Sequence, residues 1–178
     1  VTSSNAVRIV KKLPNKTIFF TPDKNLGHYV STQVPEKQFI LNDGFCPRHD
    51  SIRTDVVQAA KKKHPQALFL AHPECHKEVL ALADYIGSTS GIIQYASASP
   101  AQEFIIGTEN GVLYELQTRN PEKVFYPAME DQYCINMKKV TLEKVRNCLR
   151  DETNEVHVDA ELSRQAVRAL DNMLKLAQ

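Results

Sequence analysis

Leu68-Phe69-Leu70-Ala71 is an unbroken apolar run with no polar alternation, and His72-Pro73-Glu74 follows it at once. A strand that is apolar on both sides has to be covered on both sides, which is the situation of a parallel strand between two helical layers. The proline ends strand pairing at the carboxyl end. Val79, Leu80, Leu82 and Ala83 then mark the apolar side of a helix, Tyr85-Ile86 is a minimal second strand, and Gly87-Ser88-Thr89-Ser90-Gly91 is a second polar elbow. Parallel α/β folds bind ligands in the loops at the carboxyl ends of their strands. Two successive loops carrying an acid, an imidazole and three hydroxyls are therefore the first candidate site.

The same alternation runs through the rest of the chain. Ser3, Ser4 or Asn5 can cap a helix with Ala6, Val7, Ile9 and Val10 on its apolar side, and Thr17–Phe20 is the next strand. A short helical stretch around His28–Thr32, a strand at Phe39–Leu41 and a helix from Ser51 to Lys63 follow. Beyond the central stretch come a helix at Ile92–Ala96, a strand at Phe104–Ile106, a helical or extended segment Val112–Leu116 and a strand at Val124–Tyr126. Leu142, Val145, Cys148 and Leu149 make one late helix face. Leu162, Ala166, Leu170, Met173, Leu174 and Ala177 make another, with Asp159 as its cap. Short strands alternating with helices predict an α/β fold of several small parallel sheets.

A chain of 178 residues, 42% hydrophobic, can bury a real core. Its net charge of +1 comes from interspersed acids and bases, so no face is set aside for nucleic acid. The run Lys61-Lys62-Lys63 closes a helix, where cations suit the macrodipole. No apolar segment approaches the roughly 20 residues that span a bilayer. The four cysteines have no framework spacing, which favours reduced thiols and a cytoplasmic setting. Val1-Thr2-Ser3-Ser4-Asn5 reads as the tail of a strand entering a helix cap, as in a piece of a longer chain.

Several residues can carry chemistry. Cys46-Pro47-Arg48-His49 is half of a zinc site by spacing, with no ordinary second half. Cys134 lies in a second loop, and distant loop cysteines can meet at a soft metal centre. Cys148 falls on a helix stripe and is expected in the core. Cys75 has two readings, a thiolate at a helix start or simple packing. So has Glu74, with His72 beside it: a carboxylate that moves protons if its pKa is raised toward working pH, or a helix cap. Ser88, Thr89 and Ser90 between glycines make an anion cradle if a helix starts there. His28, His64, His76 and His157 read as surface residues.

Taken together, VTSSNAV at 1–7, PDKNLG at 22–27, GFCPRH at 44–49, HPEC at 72–75, GSTSG at 87–91, FIIGTENG at 104–111 and CINMKKVTLE at 134–143 resemble quinolinate synthase, an iron–sulfur enzyme of NAD biosynthesis. The resemblance extends to EVHVD at 155–159 and leaves the family's first domain without a counterpart. It implies repeated three-layer αβα domains, with short parallel sheets about a pseudo-threefold axis: a second domain over about 1–85 and a third over about 86–178. It implies a [4Fe–4S] cluster with Cys46 and Cys134 as ligands, a third cysteine in the missing domain, and an open iron acting as Lewis acid. It implies the transferase reaction that condenses iminoaspartate with dihydroxyacetone phosphate to quinolinate, releasing phosphate and water. Ser3, His72, Pro73, Glu74, Ser88 and Thr89 become substrate contacts, Glu74 with His72 the catalytic groups, and His49 a neighbour of the cluster. L-aspartate oxidase or aspartate dehydrogenase would supply the iminoaspartate; neither nucleic acid nor membrane is a partner. With its first domain missing, the chain is expected to be inactive alone. The rival expectation is a non-catalytic zinc or interaction module of the same fold, using Cys46, His49, Cys75 and His76.

Overall fold

A computed structural model describes residues 1–178. The chain forms two compact units, Val1–Tyr133 and Cys134–Gln178. In order, the first contains α1 (Ala6–Lys12), β1 (Thr17–Phe20), α2 (Lys24–Gln33), β2 (Gln38–Leu41), α3 (Pro47–Asp50), α4 (Thr54–Lys63), β3 (Leu68–Ala71), α5 (Lys77–Leu80), β4 (Tyr85–Ile86), α6 (Thr89–Ala98), β5 (Glu103–Gly107), α7 (Val112–Arg119) and β6 (Val124–Pro127). The second contains a 3₁₀ turn at Met137–Lys139, α8 (Leu142–Asp151) and α9 (Ala160–Ala177).

All strands pair in parallel. β1 and β2 form one small sheet, and the other four form a second in the order β4-β3-β5-β6. The larger sheet has the two covered faces that its central apolar run demands. Phe69, Ala71 and Ile105 pack with Ile52, Val57, Val79 and Leu80 from the α4–α5 side. Leu70, Phe104 and Ile106 pack with Ile92, Ala96, Val112 and Leu116 from α6 and α7. This is a three-layer αβα arrangement, and the alternate side chains of a strand explain it, since each layer takes every second residue. The smaller sheet is covered on one face. Ile18 and Phe20 pack with Ala6, Val10, Leu26, Val30 and Val34 of the first two helices, whereas Phe19 on the other face is 65% exposed. Tyr29 packs against both cores and ties the sheets together.

Several local readings are refined. The Cys46 loop contains the single helical turn α3, started by Pro47 at its first position, and the following helix begins at Thr54 rather than Ser51. Val112–Leu116 is helical. His72–Cys75 is a tight turn, with Pro73 in its second position and the Cys75 N–H donating to the His72 carbonyl at 3.0 Å. Helix α5 starts only at Lys77, so neither Glu74 nor Cys75 begins a helix. The compact units divide at Tyr133/Cys134.

In the second unit Asp159 caps α9 as expected, accepting from the Glu161 and Leu162 N–H groups at 3.0 and 2.9 Å. Cys148 lies on the apolar stripe of α8 but is not in a core. It is half-buried, with its Sγ 3.1 Å from the Thr153 carbonyl, because no residue of that helix is buried.

Candidate functional site

Apart from Ser3, which precedes α1, each candidate side chain of the first unit follows the carboxyl end of a strand. β1 leads to Asp23, β2 to Cys46 and His49, β3 to His72 and Glu74, β4 to Ser88, and β5 to Thr108. In the larger sheet the chain leaves β3 toward β4 on one side and β5 toward β6 on the other, so the strand order reverses between β3 and β5. That is the crevice where ligands collect in open α/β sheets.

Asp23 organises the Cys46 loop. One carboxylate oxygen accepts from the Leu26 N–H at 2.8 Å and caps α2; the other accepts from the Cys46 N–H at 2.7 Å. Burial pushes this carboxyl up, while the two N–H groups pull it down. Gly44 permits the loop's path: a Cβ there would lie 2.4 Å from the Pro22 carbonyl oxygen, and the Gly44 carbonyl accepts from the Lys24 N–H at 2.8 Å. Asp23→Ala removes a helix cap and leaves two poorly solvated donors, so it should lower stability by about 2–4 kcal/mol. Urea unfolding of the chain checks this.

At the crevice four polar side chains interlock. His49 places its Nδ1 2.8 Å from Glu74 Oε2 and its Nε2 2.9 Å from Thr108 Oγ1, and its ring stacks on His72 with centroids 4.3 Å apart. His72 accepts the Glu74 N–H at Nδ1 (3.3 Å), so its Nε2 carries the proton that points to Ser3 Oγ at 3.2 Å. Burial, then repulsion from His49, pushes His72 down to about 4, leaving it a neutral donor. Burial works against charge on His49 as well, but hydrogen bonds to Cys46 and Glu74 outweigh it and bring it up to about 9. The same bond to His49, opposed by burial, lowers the Cys46 thiol. Glu74 is held below its ordinary range: burial raises it, yet His49 and His72 together more than offset that. The sequence allowed a carboxylate raised toward working pH; the two imidazoles reverse the direction and keep it ionised, ready to accept a proton.

Ser3, Pro73 and Ser88 line one cavity of about 360 Å³, together with Tyr29, Tyr85 and Gln94. Ser88 is the N-cap of α6, accepting from the Gly91 N–H at 3.2 Å, and its hydroxyl lies 3.1 Å from that of Ser90. Thr89 is the first residue of that helix and is exposed; it does not line the cavity. Tyr29, Tyr85, Asp23 and Thr108 are site residues that the sequence reading passed over. For Asp23 and Thr108 the signal was their position one to three residues after a strand. The tyrosines carried no local signal, because only packing turns them to the cavity.

Cys46, His49 and Glu74 offer ligand atoms that all lie within 4.8 Å of one another, a group able to hold a metal ion. Cys75 is not part of it. The Cys75 side chain is fully buried, with its Sγ 3.6 Å from the Gly107 carbonyl, and burial pushes the thiol up to about 12. His76 turns to Asp50 at 2.9 Å. The set Cys46, His49, Cys75 and His76 therefore does not assemble. Of the remaining histidines, His64 stacks on Tyr126 at 3.5 Å. The segment before Cys134 is tied to α3: the Gln132 side-chain amide, fully buried, donates to the Arg48 carbonyl, and Arg48 Nη1 donates to the Tyr133 carbonyl at 3.3 Å. Cys134 itself begins the second unit, half-buried, with its carbonyl accepting from the Lys138 N–H at 3.1 Å.

Comparison with known proteins places this arrangement. The family model described as quinolinate synthetase A protein (NadA) matches residues 1–175. The chain is 52% identical to the quinolinate synthase of Caldicellulosiruptor saccharolyticus over 99% of its own length and 58% of the relative's. It is 48% identical to that of Clostridioides difficile (100% and 59%) and 46% identical to that of Thermodesulfovibrio yellowstonii (98% and 58%). The chain thus spans somewhat under three fifths of the length of these relatives.

Proposed function

Because the chain belongs to the quinolinate synthetase A family, we propose that the protein carrying it makes quinolinate from iminoaspartate and dihydroxyacetone phosphate, releasing phosphate and water. The family match along nearly the whole chain carries this reading. The convergence of Ser3, His72, Glu74 and His49 at the strand ends supports it.

The group the family implies is a [4Fe–4S] cluster, with Cys46 and Cys134 as two ligands and a third from the part of the relatives' length that this chain does not span. The donor chemistry at Cys46 fits: its thiol is lowered, half-buried and on a loop pinned by Asp23, as a thiolate ligand to iron requires. When bound, such a cluster supplies a Lewis-acidic iron at the position without a protein ligand.

The chain's own residues bind substrate and move protons. The start of α6, with the hydroxyls of Ser88, Thr89 and Ser90, offers N–H groups and the positive end of a ten-residue helix to a phosphate or carboxylate. His72, neutral and oriented by the Glu74 N–H, donates toward Ser3 and orients a substrate oxygen beside Pro73. Glu74, ionised, takes up the protons that the condensation and ring closure release. The reading places the protein in the cytoplasm, downstream of L-aspartate oxidase or aspartate dehydrogenase.

A zinc reading has one observation in its favour, the Cys46–His49–Glu74 group. Anaerobic reconstitution of a full-length protein carrying these residues with iron and sulfide separates the two. A cubane cluster gives broad visible absorption and zinc gives none. We expect that absorption together with quinolinate from the two substrates; a colourless zinc protein that makes none would overturn the proposal. The 178-residue chain alone should make none.

A further inference from the structure

The chain reaches Cys134 through a segment with no helix or strand of its own. Between β6 and the second unit it runs from Ala128 to Tyr133, and its backbone groups are paired one by one. The Ala128 N–H donates to the Ile106 carbonyl of β5 at 2.9 Å. The Asn110 side-chain amide donates to the Met129 and Glu130 carbonyls, both at 3.0 Å, and the Asn110 N–H donates to the Gln132 carbonyl at 2.8 Å. Two carbonyls facing the Asn110 nitrogen leave its buried Oδ1 without a partner, so this amide is committed to holding the segment. These ties fix one side of the segment to the larger sheet.

The other side is fixed to the Cys46 loop. Gln132 is 1% exposed, and its Nε2 donates to the Arg48 carbonyl across 84 positions of chain. The Ser51 hydroxyl donates to the same carbonyl at 2.8 Å and lies 3.4 Å from Gln132 Oε1. Arg48 Nη1 reaches back to the Tyr133 carbonyl at 3.3 Å. A side-chain amide is costly to bury and recovers that cost only through its partners. Gln132 finds its partner on α3 and not in its own segment. A buried hydrogen bond thus joins the residue two after Cys46 to the residue two before Cys134.

We propose that Gln132 is a positioning residue for iron: its amide clasps the Cys46 loop to the segment that delivers Cys134, so that both ligand loops are preset before a cluster binds and resist opening afterwards. The inference rests on the cluster reading given above and adds to it a residue that is itself no ligand.

The test uses a full-length protein carrying these residues, reconstituted anaerobically with iron and sulfide and then challenged with the chelator bathophenanthroline. The decay of visible absorption reads how readily the ligand loops open. Gln132→Met keeps length and packing but not the amide, and is expected to speed the decay about tenfold, as the loss of one good buried hydrogen bond would. Arg48→Met removes only the more exposed tie to Tyr133 and should speed it about threefold. Lys123→Met is the control. It deletes buried bonds from Nζ to the Ala96 and Ser99 carbonyls, both at 2.7 Å, at the carboxyl end of α6. It should lower the unfolding midpoint at least as much as Gln132→Met and leave the decay within about twofold of the parent. Should Gln132→Met fail to fold, Arg48→Met against Lys123→Met decides by the same comparison. Decay at the parent rate in Gln132→Met would overturn the clasp. So would decay that simply follows the unfolding midpoint across the three variants, since Gln132 would then be ordinary packing. A parent that takes up no cluster would sink the cluster reading, and this inference with it.

Discussion

Glu74→Gln, made in a full-length protein carrying these residues, is expected to reduce turnover by at least about a hundredfold while iron content and substrate binding stay near those of the parent. Glutamine keeps the side chain's shape and leaves an oxygen to accept from His49 Nδ1, so the interlocked set of His49, His72 and Thr108 has no reason to rearrange. What disappears is the ionised carboxylate that the two neighbouring imidazoles hold below its ordinary range. Steady-state kinetics with both substrates, read beside an iron assay, separates the outcomes. Turnover near the parent value would leave Glu74 as a structural acceptor for His49 and move the proton transfers elsewhere.

The second large effect concerns the cysteines. Cys46→Ser and Cys134→Ser are expected to lose most of the bound iron on anaerobic purification, and Cys75→Ser and Cys148→Ser to retain it. No disulfide joins any of the four. Cys46 has a lowered thiol on a pinned loop. Cys75 has the reverse: it is fully buried against the Gly107 carbonyl, in a core with Ile52, Phe69 and Val79, and its thiol is pushed up to about 12. A serine hydroxyl in that core should cost about 1–3 kcal/mol of stability. A lower unfolding midpoint with intact iron is therefore the signature expected of Cys75→Ser. Cluster loss in Cys75→Ser together with retention in Cys134→Ser would mean that the wrong thiols have been assigned.

Cys75 also shows where a sequence argument stops. It stands between Glu74 and His76, and spacing alone made a reactive thiolate and a packed side chain equally good readings. The His72–Cys75 turn decides between them, because it leaves Glu74 partly open to solvent and sends Cys75 into the α4–α5 core. The zinc set built on Cys75 and His76 fails for the same reason. Cys148 illustrates the converse: a helical stripe says which side of α8 is apolar, but not that anything covers it.

The sequence by itself determined the parallel α/β character. An apolar run without alternation, such as Leu68–Ala71, is stable only between two layers, and short strands alternating with helices allow little else. It also determined which residues stand at strand ends, and therefore that Cys46, His72, Glu74 and Ser88 are candidates. These are local properties, set by period and by turn chemistry within a few residues. Tertiary structure alone decided the partnerships. His49 meets Thr108 across 59 positions, and Ser3 meets His72 across 69. The direction of the Glu74 pKa depends on two imidazoles brought in by different strands. Contacts of that range come from how the two sheets pack. Packing depends on shape and volume summed over many side chains, and no spacing in the sequence records it.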